Sequence, residues 1–202
     1  MKPMAKPLIM LFVLLSFLSQ DIQAKGKGPT VDRPTLTPGD SWNYLYNGDP
    51  FSVTFKEVES DFLLFKTLYK NTIAGVRYQT KDLNYIKLVV GSNVIWENDP
   101  DNGQLNFPLS VGKSWNHTYA SRSGANTNTR TTYAKVVDYE QLTIAAGKFP
   151  AFRIERQINF AVREAAPRYD TYWYSPEVKA IIKYKSVDFR EDVELQSHSV
   201  TQ

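Results

Sequence analysis

The stretch from Phe152 to Arg163, FRIERQINFAVR, alternates almost without error. Phe152, Ile154, Ile158, Phe160 and Val162 fall on one face, and Arg153, Glu155, Gln157, Asn159 and Arg163 on the other. Successive side chains of a strand point to opposite faces, whereas a helix repeats about every 3.6 residues. The pattern therefore predicts a long, half-buried antiparallel strand.

Phe51, Val53 and Phe55 show the same alternation over a shorter span. Tyr133 to Ile144 is β-branched and aromatic, with a slip at Val136-Val137 that predicts a bulge. Lys179 to Phe189 slips after Tyr184, and Val193 with Leu195 predicts a last strand. The punctuation agrees. Asn47-Gly48-Asp49-Pro50, Asp99 to Gly103 and Ala145 to Lys148 carry turn residues, and Ser121 to Arg130 reads as a polar loop or hairpin tip. Past residue 36 no stretch has the caps and period of an amphipathic helix. The fold class expected is all-β: a single antiparallel curved sheet, an open barrel or a sandwich.

Two segments match without a gap. Leu36, Gly39, Ser41, Trp42, Asn43 and Tyr46 align with Leu109, Gly112, Ser114, Trp115, Asn116 and Tyr119. Tryptophan is rare, so the match predicts two related meanders, about residues 36–104 and 105–202. Each opens with a Gly turn that leads into a Trp-bearing strand. In this reading Gly39, Gly112, Trp42 and Trp115 are structural, and the two indoles occupy equivalent core positions. The repeat also explains Gly39-Asp40-Ser41, which resembles the nucleophile motif of a lipase and esterase superfamily. The second copy puts Lys113 at the Asp40 position, and neither His117 nor His198 has an Asp three residues before it. A turn accounts for both copies and an active site for neither.

Composition narrows the chemistry further. The chain has no Cys and two His, which leaves no thiolate chemistry and little room for His-based metal or triad sites. Asp99, Asp101 and Asn102 stand close together, but Gly103 takes the place where a calcium loop needs a ligand. No cofactor is indicated. The formal charge is +3, with no dense basic block, so nucleic-acid binding is not indicated.

Lys2 and Lys6, then the apolar run Leu8 to Leu18, then Ile22-Gln23-Ala24, have the layout of a secretory signal peptide over residues 1–24. The apolar run is shorter than the roughly 20 residues a spanning helix needs. Cleavage removes two lysines and one aspartate, so +3 becomes +2. Residues 25–35, rich in Gly, Pro and Lys, read as a flexible basic tail, and 36–202 as one β domain. The expected location is periplasmic or secreted, with no transmembrane segment in the processed chain.

Arg156 breaks the apolar face of its strand. A charge there is paired, turned outward by a bulge, or faces a solvated cavity where it could meet a ligand. Tyr172 and Tyr174 share a face, with Trp173 on the other; these rings suit either sheet core or ligand contact. Arg156, Tyr172 and Tyr174 are the candidate ligand-binding residues.

Three segments in order carry a family resemblance: Phe107-Pro108-Leu109 through Val111 to Trp115, Ile144 to Phe149 through Ala151 to Glu155, and Tyr172-Trp173-Tyr174-Ser-Pro176-Glu-Val178 through Ile182 to Tyr184. The set resembles a family of uncharacterised bacterial envelope proteins, secreted or periplasmic, over about residues 105–197. The resemblance implies an antiparallel β fold and an envelope location, and it transfers no catalytic residue. Many such proteins are lipoproteins; this chain has no Cys and is expected to be free after cleavage. The function these readings favour is noncatalytic binding of a lipid, another amphiphile or an envelope protein partner on a concave β face. The alternatives are an assembly module that pairs by a sheet edge, and a hydrolase using carboxylates brought together by the fold.

Overall fold

The computed structural model describes residues 28–161, 165–187 and 191–201. The expected signal peptide, and Val162 and Arg163 of the alternating stretch, lie outside these residues. Twelve strands form: β1 (Ser41–Tyr46), β2 (Asp49–Glu59), β3 (Phe62–Tyr69), β4 (Ile73–Gln79), β5 (Tyr85–Val90), β6 (Asn93–Asp99), β7 (Ser114–Ser123), β8 (Asn126–Ile144), β9 (Gly147–Phe160), β10 (Arg168–Ser175), β11 (Ala180–Ser186) and β12 (Glu191–Ser199). Each pairs antiparallel with its neighbour in sequence, and β1 pairs with β12 to close the ring. The fold is all-β and antiparallel. The sheet expected as curved, an open barrel or a sandwich closes completely into a barrel.

The alternating segment is β9, which pairs with β8 from Arg130↔Phe160 to Ile144↔Gly147. The bulge expected at Val136-Val137 lies there, where the register shifts between Val136 and Asp138. Phe152, Ile154 and Ile158 face the interior and are buried; Glu155 faces out and is exposed. Asn47-Gly48 and Ala145-Ala146 are two-residue hairpin loops, and Gly124-Ala125 turns the chain between β7 and β8.

Strand number has a direct consequence for the interior. Side chains just fill a barrel of about 8 strands, and about 16–18 leave a channel. Twelve enclose more room than their own inward side chains occupy. At one end the surplus is filled. The connection between β6 and β7 (residues 100–113) inserts Leu105 and Leu109, and the β4–β5 connection inserts Leu83. The Asn84 side chain holds Leu105 through both backbone groups, at 2.7 and 3.0 Å. Phe107 meets Tyr174 edge-on with centroids 5.3 Å apart. Gly103 needs its left-handed backbone, at φ +55, and an added Cβ there would lie 2.4 Å from the Cβ of His117. The segment before β1 joins this end: Val31 pairs with Leu109 through two backbone hydrogen bonds.

The two aligned segments take the same turn. Gly39 N–H donates to Phe55 O and Phe55 N–H to Asp40 O; at the matched positions Gly112 donates to Val136 O and Val136 to Lys113 O. Both glycines have a φ that L side chains rarely adopt, +100 and +92. Both indoles lie on inward positions and donate to a backbone carbonyl, Trp42 to Val178 at 2.8 Å and Trp115 to Gly103 at 2.9 Å. Trp42 is buried, while Trp115 is half-buried. Asp40 and Lys113, opposite in charge, both serve backbone. The Asp40 carboxylate accepts from Thr37 and Thr201 N–H, and the Lys113 ammonium donates to the carbonyls of Asn106 and Pro108.

Candidate functional site

Above the plug the barrel holds a cavity of about 870 Å³. Its floor is formed by Leu36, Leu83, Leu105 and Ala180, and it extends to the opposite rim, where Ile73 and Ile95 line it and stay partly exposed. The two sides of the cavity differ in chemistry.

Strands β1 to β6 give an aromatic and apolar wall. Trp42, Tyr44, Phe51, Val53, Phe65, Leu88 and Trp96 all face inward there. Tyr44 and Phe51 pack at 6.2 Å between centroids, and Tyr85 and Trp96 at 5.9 Å. Arg77 is the cation on this wall. Its guanidinium lies over Phe51 at 5.0 Å and over Tyr85 at 4.7 Å, and donates to the Tyr85 hydroxyl at 3.2 Å. Burial pushes the Tyr44 hydroxyl well above its ordinary pKa, with Tyr85 adding to the rise.

Strands β8 to β12 give a charged wall. Arg156 on β9 stands opposite Asp170 on β10, and its Nη2 donates to the Asp170 carboxylate at 2.7 Å. Arg168 binds the other Asp170 oxygen at 2.8 Å and Glu191 at 2.8 Å, and it reaches the Tyr184 hydroxyl. The Asp170 side chain has no exposed surface. Burial alone would raise its pKa, but the charge of Arg156 and the hydrogen bond and charge of Arg168 outweigh this and hold it below the ordinary carboxylate value. Arg130 on β8 lies over Phe160 at 5.5 Å. Arg130 Nε, and Arg156 Nε and Nη1, are buried without a hydrogen-bond partner.

Of the three candidate contacts, Arg156 lines the cavity and is paired with Asp170. Tyr172 and Tyr174 are fully buried on the same inner face below it, against the plug, and do not line the cavity. The Tyr172 hydroxyl donates to Gln104 O. Asp101 and Asn102, weighed as calcium ligands, accept from the backbone N–H groups of Gly103 and Tyr85 and so shape the turn.

The sequence reading did not reach Arg77, Arg130, Arg168, Tyr85 or Trp96. One signal was available for the aromatic wall: Trp42, Tyr44 and Tyr46 alternate with Asn43 and Leu45. Arg77 sits in Ile73–Gln79, where the inward Ile73, Gly75, Arg77 and Gln79 are no more apolar than the outward Ala74, Val76 and Tyr78, so alternation does not mark its face.

A 12% identical protein of Bacteroides fragilis, predicted to be exported and described as having a YmcC-like fold, superposes with a TM-score of 0.53 over 85% of this chain and 100% of its own. The fold is YmcC-like. The hypothetical lipoprotein YmcC of Escherichia coli gives the same identity and TM-score, over 85% of this chain and 92% of its own. A chain of Parabacteroides distasonis, predicted to be a lipoprotein, is 15% identical with a TM-score of 0.51, over 84% of this chain and 99% of its own. No family model matches the chain, and none of the curated proteins does. By name these three neighbours are an exported protein and two lipoproteins, none with a stated activity, in line with the bacterial envelope class that the resemblance over residues 105–197 implied. Two of them are lipoproteins by name, so the likeness lends no support to the expectation that this chain is free after cleavage; the chain itself contains no Cys.

Proposed function

We propose that this chain is a noncatalytic envelope protein that holds an apolar or amphiphilic ligand inside its barrel. The observation that carries the reading is the cavity: about 870 Å³, walled by aromatic side chains on one side and by polar groups on the other. Small-molecule sites in proteins run from about 300 to 1,000 Å³ and have this mix of apolar lining and few polar groups. The fold class and the names of its neighbours support an envelope setting.

The outer face suits water rather than lipid. Membrane barrels carry an outward apolar band, whereas outward positions here carry Arg153 with Glu155, Lys183 with Glu194, and Lys185 with Asp192. No helix among the described residues is long and apolar enough to cross a membrane. The edge-pairing alternative loses its basis, because closure gives every one of the twelve strands a neighbour on each side. The hydrolase alternative predicted a cleft holding two acidic groups with raised pKa; the described lining of this cavity carries one carboxylate, Glu191, and Arg168 engages it.

The test is native mass spectrometry of protein purified from its own envelope, followed by solvent extraction. A bound species of small-molecule mass that extraction removes is the expected result. A ligand-free spectrum, together with failure of an apolar fluorophore to enter the barrel, would overturn the reading.

A further inference from the structure

The cavity's charges do not balance. Asp170 and Glu191 engage Arg156 and Arg168, and Lys179 at the floor faces Asp40 at 3.9 Å. Arg77 and Arg130 also line the cavity, and neither has a carboxylate partner among the described residues. They come from different walls, β4 and β8, with three strands between them round the shorter way. Arg156 adds two buried nitrogens without an acceptor, in a side chain 6% exposed.

Unpaired charge beside apolar surface is costly because the surroundings replace water poorly. A guanidinium carries five N–H donors and no acceptor, so what satisfies it is an anion or a set of oxygens. Arg130 and Arg156 project from adjacent strands two inward positions apart, since Arg130 lies opposite Phe160 and Ala134 opposite Arg156. Tyr119, also inward, lies opposite Arg130 and brings a hydroxyl to the same region. Across the barrel the wall is Trp42, Tyr44, Phe51, Phe65 and Leu88, which suits a hydrocarbon chain.

We infer that the ligand of this barrel is an anionic amphiphile, whose carboxylate or phosphate head binds Arg130 and Arg156, with Arg77 completing the positive field, and whose chain lies on the β1–β6 wall. The inference rests on the proposed function and adds the sign and the place of the head group. Guanidinium groups bind carboxylate and phosphate with paired, charge-assisted hydrogen bonds, and the water-poor chamber strengthens them.

The probes are decyl phosphate, decanoate, decanol, decyltrimethylammonium and inorganic phosphate, titrated into the processed chain by calorimetry, with tryptophan emission as a second readout because Trp96 lines the cavity. The two anionic amphiphiles are expected to bind at least roughly tenfold tighter than decanol, as one charge-assisted bond implies, and the cation not at all. Arg130→Gln is expected to remove most of that preference and Arg77→Gln part of it, read as the ratio of anion to decanol affinity within each variant. Arg156 is kept, since its pair with Asp170 is structural. Whichever anion binds tighter names the head, carboxylate or phosphate, and either result supports the inference. Equal binding of decanol and the anions, or a preference that survives both substitutions, would overturn it. Inorganic phosphate binding as tightly as decyl phosphate would replace the amphiphile with a free anion. Binding of none of these probes would sink the ligand reading itself, and this inference with it.

Discussion

Residues 105–202 contribute most of the large fully buried side chains, among them Leu109, Phe152, Ile154, Tyr172, Tyr174, Ile182 and Leu195, while Phe55 is the one from residues 36–104. Residues 36–104 contribute most of the aromatic lining of the cavity instead. Both portions are meanders that open with the same glycine turn and the same inward indole. The difference lies in what stands opposite. The connection before β7 leans on the later portion, with Phe107 against Tyr174 and Tyr172 bonded to Gln104, and fills the space in front of it. The earlier portion faces the room that remains. One strand pattern therefore gives a core where a loop covers it and a binding wall where none does.

The largest expected effect breaks the charged part of the later portion. Asp170→Asn leaves the buried Arg156 without its carboxylate and Arg168 with Glu191 alone, and should cost about 4 kcal/mol, measured by urea unfolding. The same variant tests pH dependence. The folded pKa of Asp170 lies below its unfolded value, so its contribution is present above the ordinary Asp value and fades as pH falls through the folded one. Unfolding curves of the parent protein should lose stability below about pH 4, with a smaller loss in the variant. An unchanged acid limb would assign that loss to other carboxylates.

Next comes the contrast between walls. Phe152→Ala removes a ring with no exposed surface and should cost about 3 kcal/mol. Phe51→Ala removes a ring that already borders empty space and should cost about 1 kcal/mol. Equal costs would mean that the two walls are packed alike. The smallest effect concerns the shared turn. Gly39 and Gly112 have positive φ, and an added Cβ meets nothing within 4 Å at either. Alanine should cost about 1 kcal/mol at each, from backbone strain alone. Thermal melts of the two variants should therefore nearly coincide, and a wide gap would show that the turns differ in what they hold.

The later portion was legible chiefly through β9, which keeps a clean period although its partner β8 bulges. In β9 one face is apolar and the other polar, so burial followed from the letters. The earlier portion resisted for three physical reasons. Phe62-Leu63-Leu64-Phe65 is apolar on both faces. Register shifts occur after Phe55, Tyr78 and Leu88 and break the alternation at each seam. Exposed Val58, Val76 and Val94 also place apolar residues where the pattern expects polar ones. Arg156 was visible as an anomaly, but its partner was not. Asp170 lies 14 residues on and becomes a neighbour only through the β9–β10 register. Tyr172 and Tyr174 lie on the inner face expected of a contact wall, yet the plug takes the space before them. A loop inserted from residues 100–113 is invisible to strand periodicity.

Ring closure rests on one long-range seam. Every strand pairing but β1 with β12 joins neighbours in sequence, and bringing Trp42 beside His198 closes all the strands between them as one loop. Until that seam zips there is only a curled ribbon with an open side and no chamber. Any guest that requires the complete chamber stabilises the seam by mass action, so occupancy and closure favour each other.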